Sequence, residues 1–331
     1  MRLLLLIGLA LALGSTIRAE TPSCEWDAEA KELNFSLSEI SGILSCSMDV
    51  FHRKSHHFRN VVHKPTGTLL SPDFDGMIKT GMMNFYRVLV EGGHLGEMRA
   101  EEAIITPNKD GVTLLWEPSI RRPVKLAARF VFREPNIIDM ELSAEAHGHL
   151  PGFEVLFSTY MGPGFESRAY VARKEFGSNE PEQIRIVDQP MIHGLYPFFP
   201  RDEAGAHRLT DGRHQKGRHY WRMAIGRRYG LPMALSTDGK VDVLIMGQPD
   251  DVYAVGATYT GDADTDSVAK HRSLYLSLFG EDFQPGTGRK THVRMVIGEF
   301  GSDSKAHAEV HQAFLEDVGS VERSFWIHPD K

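Results

Sequence analysis

Apolar and polar residues alternate along much of this chain, most regularly in three segments that follow one another closely. These segments are Val112–Trp116, Val124–Phe132 and Ile137–Ala144. A period of two places successive side chains on opposite faces of a strand. Turn residues such as Glu134-Pro135-Asn136 separate the segments. The pattern therefore predicts three antiparallel strands joined by short connections.

The same alternation recurs over most of the remaining chain. It predicts strands at Phe153–Tyr160, Arg168–Ala172, Val241–Met246, Val252–Tyr259, Leu274–Phe279 and Thr291–Glu299. Helical spacing is clearest near the C-terminus, where capping residues at Ser302–Ser304 precede an amphipathic stretch that ends at Gly319. A second, shorter helix is predicted from Trp26 to Leu33. The predicted fold class is all-β, a large sandwich of antiparallel sheets with a C-terminal helix, in a single domain over residues 20–331.

The N-terminus has the three parts of a secretory signal peptide. A basic start at Met1-Arg2 precedes the apolar run Leu3–Leu13, and Ala19 offers a small residue at a cleavage site. The apolar run is too short for a membrane span, which needs about 20 residues. We therefore expect residues 1–19 to be removed and the mature protein to be secreted or periplasmic, without a transmembrane segment. The alternative is a buried N-terminal strand or helix.

Composition and motifs exclude several classes of function. Hydrophobic residues make up 41% of the chain, and the formal net charge is −7. Nucleic-acid affinity rests on clustered positive charge, so no nucleic-acid partner is expected. Neither a nucleotide fingerprint nor a serine-hydrolase elbow is present, and no cofactor or metal site is predicted. The carboxylates of Asp262–Asp266 resemble part of a calcium loop, but a solvated acidic turn is favoured, because Ser267 replaces the required glycine.

Two cysteines, Cys24 and Cys46, lie near the start of the predicted mature chain. In an oxidising compartment an isolated pair favours a disulfide, which would tie the N-terminal arm to the first strands. The alternative is two buried thiols.

The chain has 16 histidines, and the densest group precedes residue 64. On a strand, His57, Arg59 and His63 would project to one face. Imidazole can act as a general base, and guanidinium can bind a carboxylate through two hydrogen bonds. We therefore expect His57 to be catalytic and Arg59 and His63 to bind substrate. The alternative is a solvated polar strand and loop.

A second group, Glu154, Tyr160, Glu166 and Arg168, flanks a sharp turn at residues 161–164. Aromatic rings combined with charged hydrogen-bonding groups are typical of sugar sites. Tyr160 is a candidate acid, and the other three are candidate substrate-binding residues. The alternative is a salt-bridged surface hairpin.

A third group surrounds a long irregular stretch at about residues 189–216, and long loops are often functional. Its candidate catalytic residue is His193. Its candidate substrate-binding residues are Tyr196, His219, Trp221 and Arg222. The alternative for part of the group is a buried Trp221 on a strand.

The order of these segments resembles the galactose-mutarotase-like β-supersandwich. The resemblance rests on the meander Gly111–Ala144, the strand Phe153–Tyr160 and the closing segment Phe283–Gly286. The fold occurs in aldose epimerases and in the sandwich domains of polysaccharide lyases and glycosidases. In mutarotases a Pro-Gly-Glu turn supplies the catalytic base, whereas this chain has Pro285-Gly286-Thr287. The resemblance thus implies a carbohydrate partner. The carboxylate that mutarotases use as the catalytic base is absent at the matching position, which argues against mutarotation.

Two functions follow as hypotheses. In the first, a secreted protein binds or acts on carbohydrate, including acidic carbohydrate, by epimerase- or lyase-type proton transfer. His57 or His193 would be the base, Tyr160 the acid, and Arg59 or Arg168 would neutralise a carboxylate. The second is a non-catalytic binding or structural protein of the cell envelope with the same fold. The first hypothesis requires the three groups to converge on one cleft.

Overall fold

The computed structural model describes residues 22–46, 55–71, 81–162, 164–173, 181–188, 197–214, 227–257, 272–301, 303–319 and 324–326. Strands β1–β21 and helices α1 and α2 are numbered in chain order, and every strand pairing is antiparallel. The predicted all-β class with a C-terminal helix is therefore confirmed.

The largest sheet has ten strands, and the predicted meander supplies three adjacent strands near one of its edges. From one edge to the other its strands are β14 (Pro181–Arg185), β13 (Glu166–Ala172), β16 (Tyr229–Thr237), β17 (Asp242–Gly247), β20 (Thr287–Gly298), β11 (Ile137–Ala146), β10 (Val124–Arg133), β9 (Gly111–Trp116) and β8 (Ile104–Asn108), and β21 (Ser324–Trp326) also pairs with β20. Alternation is strict on β10, where Leu126, Ala128 and Phe130 are buried and the residues between them are more exposed. The inward side chains of this sheet form one side of the main core.

A six-stranded sheet packs against the ten-stranded sheet across that core. Its strands, in spatial order, are β15 (Phe198–Pro200), β18 (Val252–Ala257), β19 (Arg272–Phe283), β12 (Leu150–Met161), β6 (Asn84–Val90) and β7 (Gly93–Gly96). The rings of Phe85 and Phe157 meet edge to face at 5.5 Å, and Phe85 also contacts Trp116 of the opposite sheet at 5.1 Å. Aromatic contacts of this kind stabilise sheet packing beyond simple burial.

A five-stranded sheet forms the N-terminal part of the described chain. Its strands are β1 (Ser23–Asp27), β2 (Glu32–Ser36), β3 (Ile40–Ser45), β4 (His57–His63) and β5 (Thr68–Leu69). Phe35 stacks on Phe132 at 4.6 Å, so this sheet shares the main core. The predicted helix from Trp26 to Leu33 is therefore wrong. Alternate burial of Leu33 and Phe35 outweighs the helix-forming composition of the segment, and residues 28–31 form the hairpin turn.

The structure does not show the predicted disulfide, because both cysteines are free thiols. Cys24 on β1 lies opposite Phe35 of β2, whereas the amide of Cys46, just after β3, bonds to the carbonyl of Lys31. Strands β1 and β3 flank β2 and are therefore about 10 Å apart. A disulfide requires Cα atoms within about 7 Å. Strand order thus separates the two thiols.

Helix α2 (Ser304–Val318) is the predicted C-terminal helix, and Asp303 and Gly319 form its ends. It covers the outer face of the ten-stranded sheet, where Phe314 packs with Leu235 and Leu244. The shorter helix α1 (Glu203–Thr210) follows β15 and begins at the capping residue Asp202. Among the described residues, neither helix combines the length and the apolar character that a membrane crossing requires.

The segment Phe283–Gly286, predicted to be a closing strand, is the end of β19 and the start of a turn into β20. Gly286 has φ 81°, a conformation that favours glycine, and its amide bonds to the carbonyl of Ala146.

Candidate functional site

The outer face of the six-stranded sheet carries most of the polar residues that the fold brings together. On β12, Phe153, Val155 and Phe157 point into the main core. The alternate positions therefore point to the opposite face, and they are Glu154, Leu156, Ser158 and Tyr160. A sheet face with polar side chains at buried positions is uncommon and calls for a specific role.

One row of residues crosses this face from strand to strand. Its members are successive cross-strand partners, Asn84, Ser158, Tyr275, Gly256 and Phe198. The Ser158 hydroxyl donates to Asn84 Oδ1 at 2.8 Å. The Phe198 ring lies flat on Gly256, where a Cβ atom would approach it to 2.7 Å, and meets the Tyr275 ring at 5.8 Å. Only glycine at this position therefore leaves room for the Phe198 ring against the strand.

Beside this row lies a set of side chains that we name the Tyr–Arg cluster, which consists of Tyr86, Arg87, Glu97, Arg99, Tyr160 and Tyr275. The register of β6 shifts between Phe85 and Arg87, so Tyr86 has no direct partner on β12. The guanidinium groups of Arg87 and Arg99 lie 4.6 and 4.2 Å from the centre of the Tyr86 ring. Cation–π contacts of this kind gain strength when they are desolvated.

Tyr160 joins the cluster through Arg99, which is a hydrogen-bond partner of its hydroxyl. Its ring meets the Tyr275 ring at 6.5 Å, and Tyr275 lies 6.4 Å from Tyr86. Burial opposes the charge of Arg99, but Tyr160 and Glu97 outweigh it and raise the pKa of this guanidinium. Burial and the nearby Tyr160 raise the pKa of Tyr86 to about 12. Arg99 is therefore charged, and Tyr86 is a neutral phenol, at neutral pH.

Glu97 is the most exposed charged group of the cluster. Its side chain is 28% exposed, against 9% for each arginine, and its carboxylate lies 3.5 Å from Arg99 and 4.0 Å from Arg87. A 3₁₀ turn at Met98–Ala100 positions it, because Met98 is fully buried and anchors the backbone. The cluster thus opens to solvent at Glu97.

The other end of the face is a buried ionic network around Glu154. Arg213 binds Glu154 Oε2 at 3.1 Å and Asp211 Oδ2 at 2.6 Å, and His214 Nε2 lies 3.5 Å from the same Glu154 oxygen. Burial opposes ionisation of Glu154, but His214 and Arg213 outweigh it and lower its pKa to about 2. Glu154, a predicted substrate-binding residue, is fully buried in this network and holds the segment after α1 against the sheet, and its predicted role stays a prediction.

His57 lies behind Tyr160. Its Nδ1 is 2.8 Å from the Ser55 hydroxyl, and its ring packs on Gly81, where a Cβ atom would come within 2.0 Å. The carbonyl of Gly81 accepts bonds from the Tyr160 amide at 3.1 Å and the Asn84 side chain at 2.9 Å. Burial, with the nearby arginine charges, lowers the pKa of His57 to about 3. His57 therefore supports the backbone at Tyr160 and is a poor base at neutral pH.

The two residues predicted to share a face with His57 have separate partners. Arg59 pairs with Glu32 at 3.0 Å, and His63 Nδ1 lies 2.9 Å from the Thr66 hydroxyl. The shared face is wrong for His63, because a bulge near Asn60, which has φ 51°, shifts the register of β4. The bulge places His63 on the buried side of the strand.

Glu166 and Arg168 lie on β13 of the ten-stranded sheet, away from Tyr160. Glu166 binds Arg168 at 3.0 Å and Arg185 at 2.5 Å, and Arg168 also donates to Gln183 at 2.9 Å. The alternative of a salt-bridged hairpin describes this pair, so the predicted second group is divided between two sheets.

Five predicted residues lie outside the described residues, namely His193, Tyr196, His219, Trp221 and Arg222. The acidic segment Asp262–Asp266 also lies outside them. Convergence of all three predicted groups therefore stays a prediction. Among the residues that the structure describes, no group of three His, Cys, Asp or Glu side chains could hold a metal ion.

Sequence reasoning missed most of the Tyr–Arg cluster. Tyr86 and Arg87 are adjacent in an apolar strand, and Glu97 and Arg99 lie in a short turn, so no periodic signal connects them. An adjacent Tyr-Arg pair inside an otherwise apolar strand is the one local sign, because a regular strand would bury one member in the core.

Comparisons with known proteins find similarity in structure alone. No family model and no curated protein match the chain. The galactosidase domain of the α-galactosidase-sucrose kinase AgaSK aligns with a TM-score of 0.48 and 9% identity, over 84% of this chain and 42% of that one. The heparan sulfate lyase HepC mutant from Pedobacter heparinus gives 0.44 and 8%, over 85% and 37%. The 4-α-glucanotransferase from Thermococcus litoralis gives 0.42 and 8%, over 85% and 40%.

The chain thus spans about two fifths of the length of these proteins. The galactose-mutarotase-like resemblance stays a prediction.

Proposed function

We propose that this protein binds carbohydrate at the Tyr–Arg cluster. The observation that carries the proposal is the continuous set of contacts among three tyrosine rings and two guanidinium groups on one sheet face. Tyrosine offers a flat apolar surface and a hydroxyl at its edge, which suits the C–H and O–H faces of a sugar ring. Guanidinium supplies several fixed donors to hydroxyl or carboxylate oxygens.

We further propose that bound sugar undergoes proton transfer, by epimerisation or lyase-type elimination. Tyr160 is the acid, since its hydroxyl lies at the cluster and Arg99 is its partner. When Tyr160 gives up its proton, the positive charge of Arg99 stabilises the phenolate. The pKa of about 3 argues against His57 as the base. His193 retains its place as the candidate base.

A non-catalytic binding protein of the cell envelope is the second candidate function. Two observations favour it, the threonine in the Pro285-Gly286-Thr287 turn and the low proton affinity of His57. Both functions share the same binding face, so binding and turnover must be measured separately.

The test combines an oligosaccharide panel with a single-hydroxyl variant. We expect the wild-type protein to bind at least one neutral or uronic-acid oligosaccharide in calorimetry. Tyr160→Phe should retain binding within a few-fold and lose turnover by about 100-fold or more, the usual contribution of a general acid. Turnover is followed by NMR exchange for epimerisation and by absorbance of the unsaturated product for elimination.

The matched control is Tyr229→Phe, which removes a hydroxyl that donates to the Val252 carbonyl at 2.7 Å and is not part of the cluster. It should leave binding and turnover unchanged. A wild-type protein that binds none of the panel refutes carbohydrate binding. Binding without turnover in the wild type selects the non-catalytic function.

We also propose that the protein is exported, on the basis of the predicted signal peptide Met1–Ala19. Expression in a bacterial host should give a mature chain beginning at Glu20 in the periplasm or medium. N-terminal sequencing and intact mass of the fractionated protein check this result. An intact Met1 on protein from the cytosol would contradict it.

A further inference from the structure

The geometry of the Tyr–Arg cluster depends on one short turn, residues 97–101, which we name the 97–101 turn. The turn carries Glu97 and Arg99 of the cluster. The guanidinium group of Arg99 lies 4.2 Å from the centre of the Tyr86 ring and is a hydrogen-bond partner of the Tyr160 hydroxyl. The position of the turn therefore decides how the tyrosine face is arranged.

His56 holds this turn at two points. Its amide donates to the Arg99 carbonyl at 3.2 Å, and its ring atom Nε2 lies 2.8 Å from the Glu101 carbonyl. Since a carbonyl only accepts, Nε2 carries the proton of the neutral ring. The residue is 3% exposed, and its ring meets the edge of Trp116 at 5.6 Å. His56 thus links the 97–101 turn to the core.

A positive charge on the His56 ring is unfavourable in this packed position. Burial is the largest cause and lowers the pKa of His56, and the charge of Lys31 acts in the same direction. The backbone carbonyl groups of Glu101 and Cys46 favour the proton without outweighing burial. A buried charge without a counter-charge is costly.

The carboxylates of the turn have cationic partners other than His56. Glu97 lies 3.5 Å from Arg99, and Glu101 lies 3.3 Å from Arg122. Within the described residues, neither forms an ion pair with the His56 ring. The ionisable groups on the elements packed against His56 are Lys31, Cys46, His57, Glu97, Arg99 and Glu101.

Acid therefore favours a turn that has moved away from His56. In a released, hydrated turn the imidazole would titrate near about 6.5, whereas packing lowers its pKa. The contribution of His56 to holding the turn is fully present above about pH 6.5 and is lost progressively as the pH falls. Release would move Arg99 away from the Tyr86 ring.

We propose that His56 is a positioning residue for the Tyr–Arg cluster, and that protonation of its ring releases the 97–101 turn and, with it, the bound carbohydrate. This inference rests on the proposed function and adds its regulation. His56 is not a member of the cluster and acts on the ligand through the turn. The protein then holds its sugar at neutral pH and gives it up in acid.

The test is His56→Gln, whose amide group donates to the Glu101 carbonyl and does not titrate. We expect wild type to lose about fivefold in affinity for its best oligosaccharide of the panel between pH 7 and pH 5, within the limit of about tenfold per pH unit that one proton sets. His56→Gln should lose less than about twofold over the same interval, because its side chain takes up no proton. Calorimetry at the two pH values measures both changes.

Hydrogen exchange without sugar tests the release of the turn directly. The Ala100 amide donates to the Glu97 carbonyl at 2.8 Å within the turn. Its protection, corrected for the pH dependence of intrinsic exchange, should fall between pH 7 and pH 5 in wild type and stay constant in His56→Gln. Mass spectrometry of the peptide that contains residues 97–101 follows it.

The matched control is His311→Gln on α2. His311 is also buried beside a backbone carbonyl, that of Gly247 at 3.5 Å, and burial lowers its pKa as well. Because His311 contacts the ten-stranded sheet, this variant should keep the wild-type pH dependence of both binding and turn exchange.

Acid-weakened binding and acid-weakened turn protection that both disappear in His56→Gln, and persist in His311→Gln, support the inference. An equal pH dependence of binding in wild type and His56→Gln overturns it. Turn protection in wild type that is the same at pH 7 and pH 5 also overturns it, even if His56→Gln fails to fold. Sugar binding that is independent of pH overturns this inference alone, whereas a wild type that binds no sugar at pH 7 overturns the proposed function as well.

Discussion

Arg213→Met should lower the free energy of unfolding by about 3–5 kcal/mol, the usual loss when one partner of a buried ion pair is removed. Arg213 and Glu154 have no exposed side-chain surface, and Asp211 is only 4% exposed. The guanidinium also donates to the carbonyl of Gly152 at 2.6 Å. Its removal leaves the Glu154 and Asp211 carboxylates buried without their cation. It also removes the hydrogen bond to the Gly152 carbonyl.

Urea denaturation of the full chain measures this loss. The second variant, Arg213→Met with Glu154→Gln, should recover part of the lost stability, because it removes one of the uncompensated charges. The matched control is Arg185→Met, whose guanidinium also binds two carboxylates but is 49% exposed. It should cost less than about 1 kcal/mol. Equal losses for Arg213→Met and Arg185→Met would contradict the assigned burial.

His57→Asn should remove a large part of the acid sensitivity of the fold. The pKa of His57 is lowered to about 3, whereas an unfolded histidine titrates near about 6.5. Between these pH values the unfolded state binds one more proton than the folded state does. The contribution of His57 to the free energy of unfolding is therefore fully present above about pH 6.5 and is lost as the pH falls toward 3. The slope is about 1.4 kcal/mol per pH unit for one proton, or up to about 5 kcal/mol over the interval.

Asparagine retains a polar atom near the position of Nδ1 for Ser55 and does not titrate. The measurement is urea denaturation at several pH values between 7 and 4. The slope of the unfolding free energy against pH is compared between wild type and variant, rather than the absolute free energies. Glu154, with a pKa of about 2, also loses stabilising charge in acid, but equally in both proteins. His207→Asn, at an exposed position on α1, should leave the slope unchanged. An unchanged slope in His57→Asn would contradict its burial as a neutral imidazole.

His57 lies close to Tyr160, as the sequence hypothesis expected, but its burial favours a role other than catalysis. The sequence pattern put it among candidates that accompany Tyr160, and the fold does bring the two together through Gly81. It is buried beside Ser55 and close to arginine charges, however, so the imidazole stays neutral and serves packing and hydrogen bonding. Burial depends on residues far apart in the chain, and a strand pattern alone cannot report it.

The sequence by itself determined the strands of the meander and of β12, β17 and β19, together with the C-terminal helix. The physical reason is that the period of side-chain alternation is a local property, set by residues that are two or four positions apart. The helix prediction at Trp26–Leu33 failed because alanine, glutamate and lysine favour a helix locally, whereas a core built from distant residues buries alternate side chains at the end of the segment.

Only the tertiary structure decided which chemistry-bearing residues meet. Strand order divided Glu166 from Tyr160, a bulge turned His63 inward, and the register shift at Tyr86 brought it beneath Arg99. Each of these results depends on pairings between segments distant in sequence, where a shift of one residue exchanges the two faces of a strand. The candidate site therefore arises from register and strand order, which alternation along a single segment does not encode.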